Sequence, residues 1–502
     1  MSQPTAEKGQ FVKAMTLTDA TMLVAGSMVG SGIFIVSADM SRSLGSPGWL
    51  LLAWVLTGVM TLLGALAYGE LAAMYPRAGG MYTFLRESMS PLMGFLYGWT
   101  LFVVIQTGTI AAVAVGFGKF LGVLLPGVTA ERFSWFPKLD IASPGGMVEL
   151  GLSPQRLVAL ITIWVLTWIN LRGVKEGKFV QTSLTFLKTA ALALLVILAL
   201  TVGRNADAVA ANFGAGRFFA GTPDFTMLFV ITFGAALTGS LFSADSWHSV
   251  TFAAAEVQNP AKNLPLAMLL GTGLVTGLYI LANVGYLSVL PIHGAVDGAT
   301  AIARGIDHAT SDRVATAVME TIFGANGAAI MACAILISTF GCNNGLILSG
   351  ARVYYAMAQD GLFFAKAGVL STNGVPAWAL VLQSLWTSAL CLTGTYGQLL
   401  DYVVFAALLF YALTTIGLFL LRAQRPDLPR PYKAIGYPVL PALYVLLSGG
   451  VAVTLLVADK TRAQALSGLV LVVGPTSSGK TTTLYSFVDF VNGPEVKTIS
   501  CE

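Results

Sequence analysis

The chain has 502 residues, of which 56% are hydrophobic and only 10% charged, with a net charge of +4 and a mean hydropathy of +0.76. A soluble domain carries about 25% charged residues. No soluble fold hides this much apolar surface, which leaves an all-α polytopic membrane protein embedded in a lipid bilayer. The charge is too small and too dispersed to point to nucleic acid. The four cysteines, Cys333, Cys342, Cys391 and Cys501, include no CxxC pair and predict neither a disulfide framework nor a metal site.

In chain order, residues 1–16 are polar and read as a cytoplasmic tail, with no cleavable signal peptide expected. A span needs about 20 apolar residues. Such stretches lie near 18–38, 49–74, 92–125, 157–171, 180–203, 226–254, 264–290, 325–348, 376–395, 398–421 and 436–458. A twelfth begins at Ala463 and is interrupted. Lys and Arg concentrate in cytoplasmic loops. The clusters at Arg172, Lys175 and Lys178, and at Arg422, Arg425, Arg430 and Lys433, therefore place the N-terminus inside.

Two spans are peculiar. The first runs Ala25-Gly26-Ser27-Met28-Val29-Gly30-Ser31-Gly32-Ile33-Phe34, and the sixth contains Thr238-Gly239-Ser240-Leu241-Phe242-Ser243-Ala244-Asp245-Ser246-Trp247. Broken backbone at bilayer depth survives only when buried in protein or lining a cavity. Transporters hold substrates with interrupted helices of this kind, and breaks five spans apart suit an inverted repeat. The same glycines also suit close helix packing. Asp245 is an acid within a span, where such residues are costly. It has three available roles: pairing with substrate, capping the broken helix, or bonding nearby backbone. Lys188 has apolar residues at 190–200 beyond it and either finds a buried partner or snorkels to the interface. Asn343 and Asn344, in span eight, bond either neighbouring helices or substrate.

Several segments resemble the amino acid–polyamine–organocation superfamily, and its L-type amino acid transporter branch most closely. They are Gly30-Ser31-Gly32-Ile33-Phe34, Asn170-Leu171-Arg172-Gly173-Val174-Lys175, the stretch Ala255 to Pro265 with Asn259-Pro260, and Gly345 to Gly361 with Ser349-Gly350-Ala351-Arg352. The resemblance covers roughly residues 15–465. It implies a five-plus-five inverted repeat with discontinuous helices 1 and 6, helices 1–5 over 18–203, helices 6–10 over 226–421, helix 11 over 436–458 and an incomplete helix 12. It also implies alternating access around a midplane site built from Met28, Val29, Gly30, Ser31, Gly32, Phe242, Ser243, Ala244 and Asp245. There the Ser31 and Gly32 amides would take the substrate carboxylate, and the carbonyls of Met28 and Phe242 the ammonium. The Phe242 ring would gate the site. Lys188 would stand beside the unwound first helix, replacing sodium or carrying a proton. Asn343 and Asn344 would support the site.

The tail departs from this pattern. Gly474-Pro475-Thr476-Ser477-Ser478-Gly479-Lys480-Thr481 matches the phosphate-loop motif GxxxxGKT after the apolar run Leu469 to Val473. Residues 468–502 resemble a piece of type II secretion or type IV pilus ATPases, in which Gly474, Gly479, Lys480 and Thr481 would hold nucleotide. Fewer than about 40 residues rarely fold alone, so 466–502 is expected to be a foreign fragment without ATPase activity, following an amino acid permease domain at 17–465. The sequence thus predicts a secondary transporter of neutral amino acids in a bacterial inner membrane, with exchange and proton symport both open. It predicts no catalytic residues and no cofactor, and it sets no oligomeric state. The alternatives are an ATP-binding or ATP-regulated protein and a receptor that binds without flux.

Overall fold

A computed structural model describes residues 13, 15–133, 139–143, 146–220, 226–393, 396–458 and 461–462. The twelfth span from Ala463 and the phosphate-loop residues Gly474, Gly479, Lys480 and Thr481 lie outside the described residues.

The helices are α1 (Leu17–Met28), α2 (Val36–Leu44), α3 (Pro47–Met74), α4 (Met81–Ser88), α5 (Pro91–Thr100), α6 (Gln106–Leu124), α7 (Pro154–Arg172), α8 (Val174–Leu200), α9 (Ala206–Phe213), α10 (Met227–Ser243), α11 (Pro260–Val289), α12 (Ala301–Arg304), α13 (Val314–Gln359), α14 (Ala377–Thr393), α15 (Tyr396–Gln424) and α16 (Val439–Val457). A π-helical turn, Leu101–Ile105, joins α5 to α6. Among the described residues, an antiparallel hairpin precedes α7, with Leu139–Ser143 as β1 and Gly146–Leu150 as β2.

Helix starts follow from local chemistry. Ser46-Pro47, Ser90-Pro91 and Ser153-Pro154 repeat one device. Proline fits the first helical position because its missing N–H would be unpaired there anyway. The serine oxygen accepts the amide of Trp49 (3.4 Å), Met93 (3.3 Å) or Arg156 (3.2 Å). Thr16 and Asp19 form a reciprocal capping box at α1.

Among the described residues, eight helices are long and apolar enough to cross a membrane, and α10 and α14 are shorter apolar helices. Each of the eleven expected crossings falls on one of these or on the α1–α2 pair. Side chains such as Ile161, Trp168, Ile197 and Leu446 stay more than half exposed on the outer surface, as lipid contact requires. Inside, α1 packs on α8, α11 and α13, and α10 packs on α2, α3 and α16.

Charge inside the bundle is paired. The fully buried Glu70 accepts from Arg422 (2.5 and 2.9 Å) and from the Ala434 amide (2.7 Å), and Arg430 lies 3.3 Å away. A buried carboxylate is tolerated only with such partners. The group fixes the connection between α15 and α16.

Candidate functional site

The first break begins where the hydrogen-bond ladder of α1 stops. The Val29 amide still reaches the Ala25 carbonyl (3.0 Å), but Gly30 turns back onto Met28 (2.8 Å). A short 3₁₀ turn, Gly32–Phe34, precedes α2. Helix ends leave carbonyls without intrahelical partners, and side chains from other helices take them here. The Lys188 ammonium, from α8, donates to the carbonyls of Gly26 (2.5 Å) and Val29 (3.0 Å) and reaches that of Ser338 (3.4 Å). The Ser338 hydroxyl donates to Val29 (3.1 Å), and the Cys342 thiol to Ser27 (3.1 Å). Lys188 is 1% exposed, so it ends in the protein interior and does not snorkel. A cation there also complements the negative end of α1.

The second break follows Ser243. Ser246 adopts φ +67°, a left-handed conformation that is unfavourable without glycine. The chain then continues in 3₁₀ turns at Ser249–Thr251 and Ala254–Glu256. The expected sixth span of 226–254 is therefore α-helical only to Ser243, because protein contacts support the irregular backbone beyond it. Asp245 accepts from the Tyr411 hydroxyl of α15. An aromatic group holds the loop, with edge-to-face contacts of Tyr68 on Trp247 (4.8 Å), His248 on Tyr411 (5.0 Å) and His248 on Phe252 (5.2 Å).

The two breaks meet. A Cβ placed on Gly32 would stand 2.9 Å from Ser243 Cβ and 3.0 Å from Ser243 Cα, and one placed on Gly30 would stand 3.1 Å from Cys342 Sγ. The Tyr279 hydroxyl, from α11, lies 3.0 Å from the Met28 carbonyl and 3.1 Å from the Ser243 carbonyl, so it joins both breaks. The Phe242 carbonyl accepts the Asp245 amide (3.2 Å) within the turn, and the Phe242 and Ala244 side chains are buried. Val29 and Ser31 are buried at the first break. Asn343 and Asn344 sit apart from these contacts. With the orientation its neighbours favour, the Asn343 amide donates to Ile110 (3.3 Å) and accepts from the Ala114 amide (3.2 Å). Asn344 accepts from Asn170 (2.9 Å) and donates to Gln181 (3.3 Å). Both tie α13 to neighbouring helices.

Sequence reasoning missed Tyr279, and also Asn283 and Tyr286. Asn283 accepts from Ser37 (2.6 Å), and Tyr286 donates to Ile33 (3.3 Å). The available signal is their spacing of four and three residues, which lays three polar groups on one face of the otherwise apolar α11. Tyr279→Phe keeps the ring and removes one hydroxyl from two buried carbonyls. The Met28 carbonyl keeps the Gly30 amide, whereas the Ser243 carbonyl loses this donor. One unpaired buried group costs about 1–3 kcal/mol, so flux is expected to fall by roughly tenfold with little loss of protein in the membrane. Initial uptake rates normalised to the amount of protein check this, and wild-type flux would refute it.

The faces differ. A cavity of about 850 Å³ opens beside α2 and reaches Ile35, Val36, Thr238 and Gly239, about a turn from the breaks. A second, of about 20 Å³, is lined by Ala244, Asp245, Trp247, Tyr411 and Tyr444 and has room for about one water. The opposite face is tied shut. Glu256 and Arg352, both nearly fully buried, pair at 2.5 Å. Met15 bridges the Glu256 carbonyl and the Gln258 amide, both at 2.9 Å. Asp360 accepts from Tyr82 (2.8 Å) and pairs with Arg86. Burial and this bond push the Tyr82 hydroxyl pKa well above its ordinary value.

Two interrupted helices meeting inside a bundle of spans, with an open cavity on one face and the buried Glu256–Arg352 pair closing the other, define a polytopic membrane transporter. The chain belongs to the amino acid permease family, whose profile matches residues 15–476. It is similar to the serine/threonine exchanger SteT of Bacillus subtilis (strain 168), 30% identical over 92% of this chain and 95% of that protein. It is likewise similar to the large neutral amino acids transporter small subunit 2 of Mus musculus, 29% identical over 86% of this chain and 75% of that protein. The b(0,+)-type amino acid transporter 1 of the same species is 28% identical over 87% and 81%. The chain is thus a transporter and not an enzyme. Neither the family nor these relatives supports the nucleotide-binding alternative.

Proposed function

We propose that the chain carries neutral amino acids by alternating access around the two breaks, as an exchanger or a proton-coupled symporter. The carrying observation is the juxtaposition of Gly32 and Ser243 under the shared Tyr279 hydroxyl. Opposed half-helix ends at one depth supply donors for a carboxylate and acceptors for an ammonium. The Ser31 and Gly32 amides take the carboxylate. Carbonyls near Met28 and Phe242 take the ammonium, and binding there draws the Met28 carbonyl from Tyr279. Phe242 gates the site, Ala244 and Asp245 border the side-chain pocket, and Lys188 couples the first helix to the cycle. The names of the relatives favour exchange of neutral amino acids, serine and threonine among them.

The proposed arrangement is a five-plus-five repeat in a bacterial inner membrane, with the N-terminus cytoplasmic. The cavity beside α2 then faces outside, and the Glu256–Arg352 pair closes the cytoplasmic side. Residues 1–16 form the tail, 17–465 the permease domain and 466–502 a foreign fragment; the family match itself runs to residue 476.

The test is uptake of labelled neutral amino acids into proteoliposomes, empty or preloaded with unlabelled substrate. Preloading is expected to accelerate uptake several-fold. Equal uptake that responds to an imposed proton gradient would select symport. Saturable binding without flux would replace the transporter reading with a receptor.

A further inference from the structure

The cavity beside α2 carries more charge than a passage needs. Arg42, Lys119, Arg156 and Arg313 share its walls with Asp39, Glu131 and Asp312, and Ile35 and Val36 give it an apolar side. Its volume, about 850 Å³, falls within the roughly 300–1,000 Å³ of small-molecule sites.

Three elements bring these charges together. Asp312 precedes α13 and lies 2.9 Å from Arg42 of α2 and 3.8 Å from Lys119 of α6. Arg42 also lies 3.4 Å from Asp39 and donates to the Asp307 carbonyl (2.6 Å). The next residue, Arg313, donates to the carbonyls of Thr310 (3.3 Å) and Lys119 (3.4 Å). Among the described residues no carboxylate lies within ion-pair distance of it. Guanidinium binds carboxylate in a planar fork, so carbonyl contacts leave much of its capacity unused. Ser311 and Asp312 adopt φ of +53° and +60°. Two consecutive left-handed residues without glycine cost about 1–2 kcal/mol each. Such strain clusters where a site requires it, and here it sets Asp312 and Arg313 on one cavity wall.

We infer that this cavity is a second binding site, an entry site for the zwitterionic head of an α-amino acid on its way to the breaks. Its carboxylate sits on Arg313 and Lys119, its ammonium between Asp39 and Asp312, and its side chain over Ile35 and Val36. The inference rests on the amino acid transport reading. The head group alone is recognised, so the site discriminates little between neutral side chains.

Equilibrium dialysis of the purified full chain with radiolabelled L-leucine and L-serine tests it. Wild type is expected to bind two molecules per chain. The Arg313→Gln, Lys119→Met double variant is expected to bind one, and the conservative Arg313→Lys two. Gly32→Leu, which blocks the site at the breaks, is expected to retain one molecule, not displaced by N-acetyl-leucine amide. A count of one in both wild type and the double variant overturns the second site and leaves the transport reading standing. Complete loss in a folded Gly32→Leu does the same. No saturable binding by wild type sinks both. Should Gly32→Leu fail to fold, the comparison of wild type with the double variant decides alone.

Discussion

Gly32→Leu is expected to abolish uptake while the protein still reaches the membrane. A side chain at residue 32 meets the Ser243 hydroxyl first, and behind it Ser243 Cβ at 2.9 Å and the backbone Cα at 3.0 Å from the added Cβ. A flexible side chain gives way at small cost, whereas Ser243 is the last residue of α10, and its carbonyl faces Tyr279. Overpacking a close-packed interior costs about 1–3 kcal/mol, and every 1.4 kcal/mol is a tenfold change in an equilibrium. The breaks would have to separate, which moves donors and acceptors off the substrate together. A loss of roughly ten- to hundredfold is expected from separation alone, and the leucine branch also fills the space between the helices. Gly32→Ala is expected to fall between leucine and wild type. Initial rates, normalised to protein in the membrane and read beside a melting curve, separate a blocked site from a failed fold. Wild-type flux in Gly32→Leu would move the site elsewhere.

The breaks were legible because glycine and serine within an apolar span contradict the needs of a lipid-facing helix. Gly30-Ser31-Gly32 therefore announced its own irregular backbone. In span six the break was legible from Thr238, Ser240, Ser243, Asp245 and Ser246, but the residue at which α10 ends was not. Polar residues are scattered from Thr238 to Thr251 with no proline or glycine beside Ser243 to mark the stop, and tertiary partners such as Tyr411 and Tyr68 decide where the chain leaves the helix. The limits of span eight failed for the opposite reason. Expected over 325–348, α13 runs Val314–Gln359 with a turn at Gly324. Its ends contact protein, so they carry Glu320 and Arg352 and lose the apolar signal. The short α4, α9 and hairpin gave no span-length signal at all. Tyr279 was hidden because a tyrosine in a membrane helix is ordinary until its partner is known, and that partner lies 251 residues away in sequence.

Lys188→Ala is the other large effect expected. The ammonium is the contact through which α8 holds both the end of α1 and the start of the break, and it reaches across to α13 through Ser338. Without it the Val29 carbonyl keeps the Ser338 hydroxyl, while the Gly26 carbonyl loses its lysine donor. A buried acceptor left unpaired costs about 1–3 kcal/mol, and the end of α1 loses its complementary charge as well. Flux is expected to drop at least tenfold. Lys178→Ala, earlier on α8, is expected to change it less than twofold. Stability and coupling then separate by measurement. If Lys188 only braces α1, substrate binding and flux fall in step with the melting temperature. If it couples the break to the cycle, a variant that still folds and binds labelled substrate no longer exchanges it across the bilayer. Equal losses for the two lysines would show that the contact with the first break does not govern transport.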